Sequence, residues 1–166
     1  MERVEDLFLN RETVVSQVIL VVEDNPASME LLCDWLEGEG YDVHGVGTLD
    51  AGYAAVQARH PEAVLLDIQL GGDDALHLVS WMREQPDLAS IPVIAVTAHA
   101  LAPERQRCHQ AGCNEVVSKP VDFHLLRRCL YFWAGFEDGS TKHAGGLEHG
   151  NTRKSTESPS SSKRIE

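Results

Sequence analysis

The sequence predicts an open, doubly wound α/β fold built on five parallel strands. Three observations carry that prediction. Short apolar runs alternate with amphipathic stretches of helical period over residues 17–136. The stretches between runs are long enough for one helix each, so each connection reads as a right-handed crossover between parallel neighbours. Four runs end abruptly in polar residues that can do chemistry. Residues 18–22 run into Glu23-Asp24, residues 63–66 into Asp67, residues 91–96 into Thr97, and residues 115–118 into Lys119-Pro120.

The elements follow in order. Val18 to Val22 forms the first strand. Asn25 then reads as an N-cap with Pro26 at the first helical position. Met29, Leu32, Cys33 and Leu36 recur at helical spacing, and Gly38 and Gly40 close that helix. Tyr41 to Val46 alternates as a short edge strand does. Thr48 caps an alanine-rich helix that ends near Arg59, before Pro61. The third strand is the most apolar and stops at Asp67. Asp73 or Asp74 can cap a third helix bearing Ala75, Leu78, Val79 and Met82, and Pro86 and Pro92 bracket the loop after it. The fourth strand reaches Thr97. A polar helix over about 102–111 stops at Gly112, and the fifth strand ends at Ser118. Asp122 caps the last helix, which directs Leu126, Cys129, Leu130 and Trp133 inward. Short loops and right-handed crossovers favour the strand order 2-1-3-4-5. That order sets the carboxyl ends of strands one, three, four and five side by side.

Domain organisation follows from composition. Residues 17–136 form the domain. Residues 1–16 are charged and lack a clear period, as a mobile arm would. Residues 137–166 are rich in Gly, Ser, Thr and Lys and nearly free of large apolar side chains, the composition of a disordered tail with no output domain.

Charge and composition exclude some functions. The net charge is −12, and residues 17–136 hold 17 acids against seven Lys or Arg. Such a domain lacks the basic face that phosphate contacts require, so direct nucleic-acid binding is not expected. No apolar run approaches the roughly 20 residues of a membrane-spanning helix. The start, Met1-Glu2-Arg3, lacks the pattern of a signal peptide, so the expected location is the cytoplasm. Cysteines stand at 33, 108, 113 and 129 without a C-x-x-C pair. They read as reduced thiols in or near the core, and the Cys108-His109-Cys113 spacing matches no standard zinc finger.

The strand ends define the chemistry. Glu23, Asp24 and Asp67 at one crevice would repel each other unless they take up protons or a cation. A hard divalent ion such as Mg²⁺ suits oxygen ligands and a phosphate. Lys119 offers a positive charge and Thr97 a hydroxyl donor, so the set can hold a phosphoryl group. Asp67 is the central carboxylate and the candidate nucleophile.

This set, Glu23-Asp24, Asp67, Thr97-Ala98 and Lys119-Pro120, resembles the receiver domain of two-component response regulators over about residues 17–134. The resemblance implies the flavodoxin-like form of the fold. It implies that Asp67 is the phospho-acceptor, charged by a sensor histidine kinase or a histidine phosphotransfer protein. It implies Mg²⁺ held by Asp24, Asp67 and the backbone carbonyl of Gln69, with Glu23 acting through water. Thr97 and Lys119 match the phosphate-contacting pair, and the Lys119-Pro120 bond matches one that is usually cis. Signalling would pass through contacts with a downstream protein. The resemblance leaves room for a phosphorylation-dependent homodimer. The chain would be no enzyme beyond gaining and losing its own phosphoryl group.

The sequence also departs from the family pattern. Gly71 and Ala75 stand where a proline and a glycine are usual, and Gly71-Gly72 should loosen the loop after Asp67. Val116 replaces the usual switch aromatic. Its short branched side chain cannot swing, so residues 102–133 are expected to respond less to phosphorylation than the Gly71-Gly72 loop and the surroundings of His99. His99, two residues after Thr97, is a candidate neighbour of the phosphoryl group. His44, His77, His109 and His124 read as solvated. Other classes remain open at this point. A haloacid-dehalogenase-like phosphatase would need an acid at Gln69. A flavin carrier would need a hydroxyl- and glycine-rich loop where Glu23-Asp24-Asn25-Pro26 stands. A degenerate receiver would only dock.

Overall fold

The structure is a computed structural model that describes residues 16–135. The expectations for residues 1–15 and for the tail from 137 onward fall outside the described residues. β1 (Val18–Val22), β2 (Asp42–Val46) and β3 (Ala63–Asp67) come first, separated by α1 (Pro26–Gly38) and α2 (Leu49–Arg59). A small hairpin of β4 (Gln69–Leu70) and β5 (Asp73–Asp74) follows, then α3 (Leu76–Glu84). β6 (Val93–Thr97), α4 (Ala102–Ala111), β7 (Glu115–Ser118) and α5 (Phe123–Ala134) complete the described chain.

The main sheet is parallel with order β2-β1-β3-β6-β7. With the hairpin set aside, this is the expected 2-1-3-4-5. Strand residues alternate between two apolar layers, as the period of two demands. Leu20, Val22, Val64, Leu66 and Ala95 face the layer that holds Val56, Leu78, Val79, Met82 and Cys108 of α2, α3 and α4. Ile19, Val21, Ala63, Leu65 and Ile94 face Leu32 and Leu36 of α1 and Leu126 and Leu130 of α5. β3 and β6 are buried on both faces over their whole length, which is why their sequences run apolar without alternation.

The helix starts follow their capping residues. Asn25 accepts the Ser28 N–H at 2.9 Å, with Pro26 opening α1. Thr48 accepts the Ala51 N–H, and Asp122 accepts those of His124 and Leu125. Gly112 ends α4 at φ +109.

The structure corrects two expectations and adds one element. The stretch after Asp67 forms the β4–β5 hairpin, with Gly71 and Gly72 at φ +54 and +89. A two-residue turn with both central residues at positive φ is the one that glycine pairs favour, so these glycines supply the turn of a hairpin that the strand count did not include. Neither aspartate is the N-cap of α3. Ala75 takes that position without a side-chain bond, while Asp74 Oδ1 accepts the Leu76 N–H at 3.2 Å. Trp133 is 39% exposed and stacks edge-on to Phe132 at 4.9 Å, so in the last turn of α5 the ring finds a neighbouring side chain and not the sheet. Trp35 packs against Phe123 and Trp81 against Tyr53.

Candidate functional site

Parallel strands deliver their carboxyl ends to one edge, and the sheet order decides which residues meet there. β1 delivers Glu23-Asp24, β3 Asp67, β6 Thr97 and β7 Lys119. The backbone locks the row: Glu23 N–H donates to the Val46 carbonyl at 3.0 Å and Lys119 N–H to the Thr97 carbonyl at 2.7 Å. The Lys119-Pro120 bond is cis, as the resemblance implied.

Lys119 reaches across the edge. Its Nζ donates to Glu23 Oε2 at 2.7 Å and to Asp67 Oδ2 at 3.0 Å. Asp67 is 6% exposed, and its Oδ1 accepts the Gln69 N–H at 2.9 Å. Glu23 is 2% exposed, and its Oε1 accepts the Asn25 N–H at 2.9 Å. Both Glu23 oxygens are therefore engaged. Burial pushes the Glu23 carboxyl above its usual range against the pull of Lys119 and the Asn25 amide, and the neighbouring Asp67 adds to the rise. Burial opposes the Lys119 charge, but the hydrogen bonds to Glu23 and Asp67 outweigh it, and the amine titrates above its ordinary value.

Asp24 is exposed, and its Oδ2 accepts the Gly71 N–H at 3.0 Å, which ties the hairpin to the end of β1. Carboxylate oxygens of Glu23, Asp24 and Asp67 lie within 4.8 Å of one another. One lysine serves Glu23 and Asp67, while Asp24 has no cationic partner among the described residues. Three carboxylates against one ammonium leave excess negative charge at an open oxygen-rich site, and the donor set fits a hard divalent cation.

Thr97 is fully buried. Its Oγ1 donates to Glu104 Oε1 at 2.7 Å and accepts the His99 N–H at 3.0 Å. Among the described residues the hydroxyl makes no hydrogen bond to Asp67, so the structure places Thr97 at the site edge with its proton turned toward α4. Sequence reasoning missed Glu104. It stands seven residues after Thr97 in the first turn of a polar helix, and nothing in the local sequence separates it from an ordinary helix-start acid. The glycine pair, by contrast, was a readable signal for the hairpin. His99 is exposed, and it meets Thr97 through its backbone amide. His77, His109 and His124 are exposed, while His44 is half-buried. The four cysteines are free thiols, and Cys108, Cys113 and Cys129 are buried.

Comparison with known proteins agrees with this geometry. Residues 19–131 match the family described as response regulator receiver domain. The chain is 35% identical over 111 residues to the polar-differentiation response regulator DivK of Brucella ovis, covering 64% of this chain and 87% of that protein. The receiver domain of sensor histidine kinase PA1611 from Pseudomonas aeruginosa was solved with a magnesium ion coordinated in its active-site cleft. It is 33% identical, covers 73% of this chain and 99% of that one, and superposes with a TM-score of 0.67. A solved protein from Chloroflexus aurantiacus at 23% identity has a TM-score of 0.69 and covers 73% of this chain and 99% of that one, a likeness of fold.

Proposed function

This chain belongs to the response regulator receiver domain family of two-component signalling, and on that premise we propose that it is a phosphorylation switch whose acceptor is Asp67. The observation that carries the reading is the Lys119 bridge to Asp67 and Glu23 beside the Asp24 carboxylate. An Asp67 oxygen attacks the phosphorus of a phosphohistidine on a sensor kinase or a histidine phosphotransfer protein. The P–N bond breaks, its electron pair stays on the imidazole nitrogen, and that nitrogen takes a proton from solvent. The phosphoryl oxygens then accept hydrogen bonds from Lys119 and Thr97. Asp24, Asp67 and the Gln69 carbonyl would hold Mg²⁺, with Glu23 behind them through water. The ion, when bound, neutralises and orients the phosphoryl oxygens.

The chain catalyses no turnover of other molecules on this reading. It gains and loses its own phosphoryl group and signals through protein contacts, to which exposed Tyr131 and Phe132 on α5 offer apolar surface. A second copy of the chain is one candidate occupant of that surface. No helix among the described residues is long and apolar enough to cross a membrane, and the proposed location is the cytoplasm. The test is to incubate the protein with acetyl phosphate and Mg²⁺ and measure intact mass. Wild type should gain one phosphoryl group, Asp67→Asn none, and chelation of Mg²⁺ should prevent the gain. Equal labelling of the variant would contradict the assignment.

A further inference from the structure

Thr97 has one hydroxyl proton, and in this structure it belongs to Glu104. We propose that Glu104 is a positioning residue for phosphorylation. It holds Thr97 in an off state, and its release carries the signal from the strand end into α4. The inference rests on the reading that Asp67 receives the phosphoryl group and that Thr97 must donate to it.

The two hydrogen bonds of Thr97 fix its rotamer from both sides. Oγ1 accepts from the His99 backbone and donates to the Glu104 carboxylate at 2.7 Å, and the side chain is fully buried. A hydroxyl has one proton to give. To bond a phosphoryl oxygen on Asp67, Thr97 must leave Glu104. Both bonds are charge-assisted, so the exchange replaces one strong acceptor with another, and the balance between them sets the switch.

Glu104 lies in the first turn of α4, so losing Thr97 removes a tie between that helix and β6. Other ties then decide how far the change spreads. Arg105 donates to the carbonyls of Ala100 and Val116, and Arg107 pairs with Asp74 of the hairpin at 3.1 Å. The freed Glu104 stays half-exposed, within reach of water and of Arg107 one turn on. The helix therefore has its own link to the phosphorylation site, independent of an aromatic at Val116. Against the expectation of a smaller response over residues 102–133, this link places a response in the first turns of α4.

The test uses beryllofluoride with Mg²⁺ as the phosphoryl mimic and full-length protein followed by amide NMR. Removing the competing acceptor should tighten beryllofluoride binding about tenfold in Glu104→Ala, the factor one charge-assisted hydrogen bond sets. Glu104→Gln keeps a neutral acceptor and should give about threefold. In wild type the amides of residues 102–108 should shift on binding. In Glu104→Ala those shifts should fall by half or more, while those of residues 67–72 persist. Structural damage would weaken binding, so a gain with an intact spectrum distinguishes positioning from packing. Unchanged or weaker binding in both variants, with an intact fold and a normal wild-type response, would overturn the role of Glu104. A wild type that fails to bind beryllofluoride at all would overturn the Asp67 reading itself.

Discussion

Lys119 and Glu23 stand 96 positions apart in the chain and meet at 2.7 Å, with the same ammonium 3.0 Å from Asp67. The Glu23 side chain is 1% exposed, so its charge has little access to water and depends on the lysine. Removing the lysine leaves two buried or nearly buried carboxylates unneutralised. Lys119→Ala should therefore cost about 3 kcal/mol of stability in metal-free buffer, the lower end for breaking a buried pair because Lys119 keeps some exposure. Excess Mg²⁺ should restore part of it. Urea unfolding with and without Mg²⁺ checks both; a variant as stable as wild type in chelator would show that the bridge is not a structural tie.

A second prediction concerns the corner beneath α4. Arg83 donates to the carbonyls of Ala89, Ile91 and Gly112 and to Asn114 Oδ1. Gly112 sits at φ +109, and a Cβ there would come within 2.7 Å of the Arg83 side chain. Gly112→Ala meets both backbone strain and that clash, and should destabilise the domain by about 1–3 kcal/mol. Arg83→Leu leaves several carbonyls without a donor and should cost at least as much. Thermal unfolding measures both. Neither variant should alter beryllofluoride binding at a temperature where it is folded.

A third prediction is alkaline. Burial pushes the Cys113 thiol from 9.0 up to about 12. The unfolded chain releases this proton near 9.0 and the folded chain only near 12. The stabilising term is therefore complete below pH 9.0 and is lost as pH rises toward the folded value. Lys119 acts in the same direction at higher pH, because its amine is also raised. Stability should fall between pH 9 and 11, and the fall should be shallower in Cys113→Ala. Equal slopes would contradict the assignment to Cys113. Iodoacetamide at pH 8 should label half-buried Cys33 before the buried thiols.

Most of the site was legible because parallel sheets place chemistry at strand ends, and each end was marked by an abrupt change from apolar to polar sequence. Asp67, Thr97 and Lys119 all stood at such breaks, and the caps Asn25, Thr48 and Asp122 stood where a side-chain oxygen serves a helix start. Contacts between elements were not legible. The Thr97–Glu104 bond depends on how α4 lies against β6, which no local pattern encodes. Trp133 kept the helical period that marks an inner face, yet burial depends on what the helix meets in its last turn. The Gly71-Gly72 turn was a matter of interpretation: the glycines signalled positive φ, and positive φ served a hairpin.

The central claim is that one carboxylate, Asp67, carries the phosphoryl group. Borohydride reduces an acyl phosphate to an alcohol and leaves homoserine where an aspartate was labelled. Phosphorylating the protein with acetyl phosphate and Mg²⁺, reducing it, and sequencing its peptides by mass should place homoserine at position 67, with Asp24 and Glu23 unchanged. Reduction at Asp24 or Glu23, or at none of the three in protein that has gained the phosphoryl mass, would contradict the account.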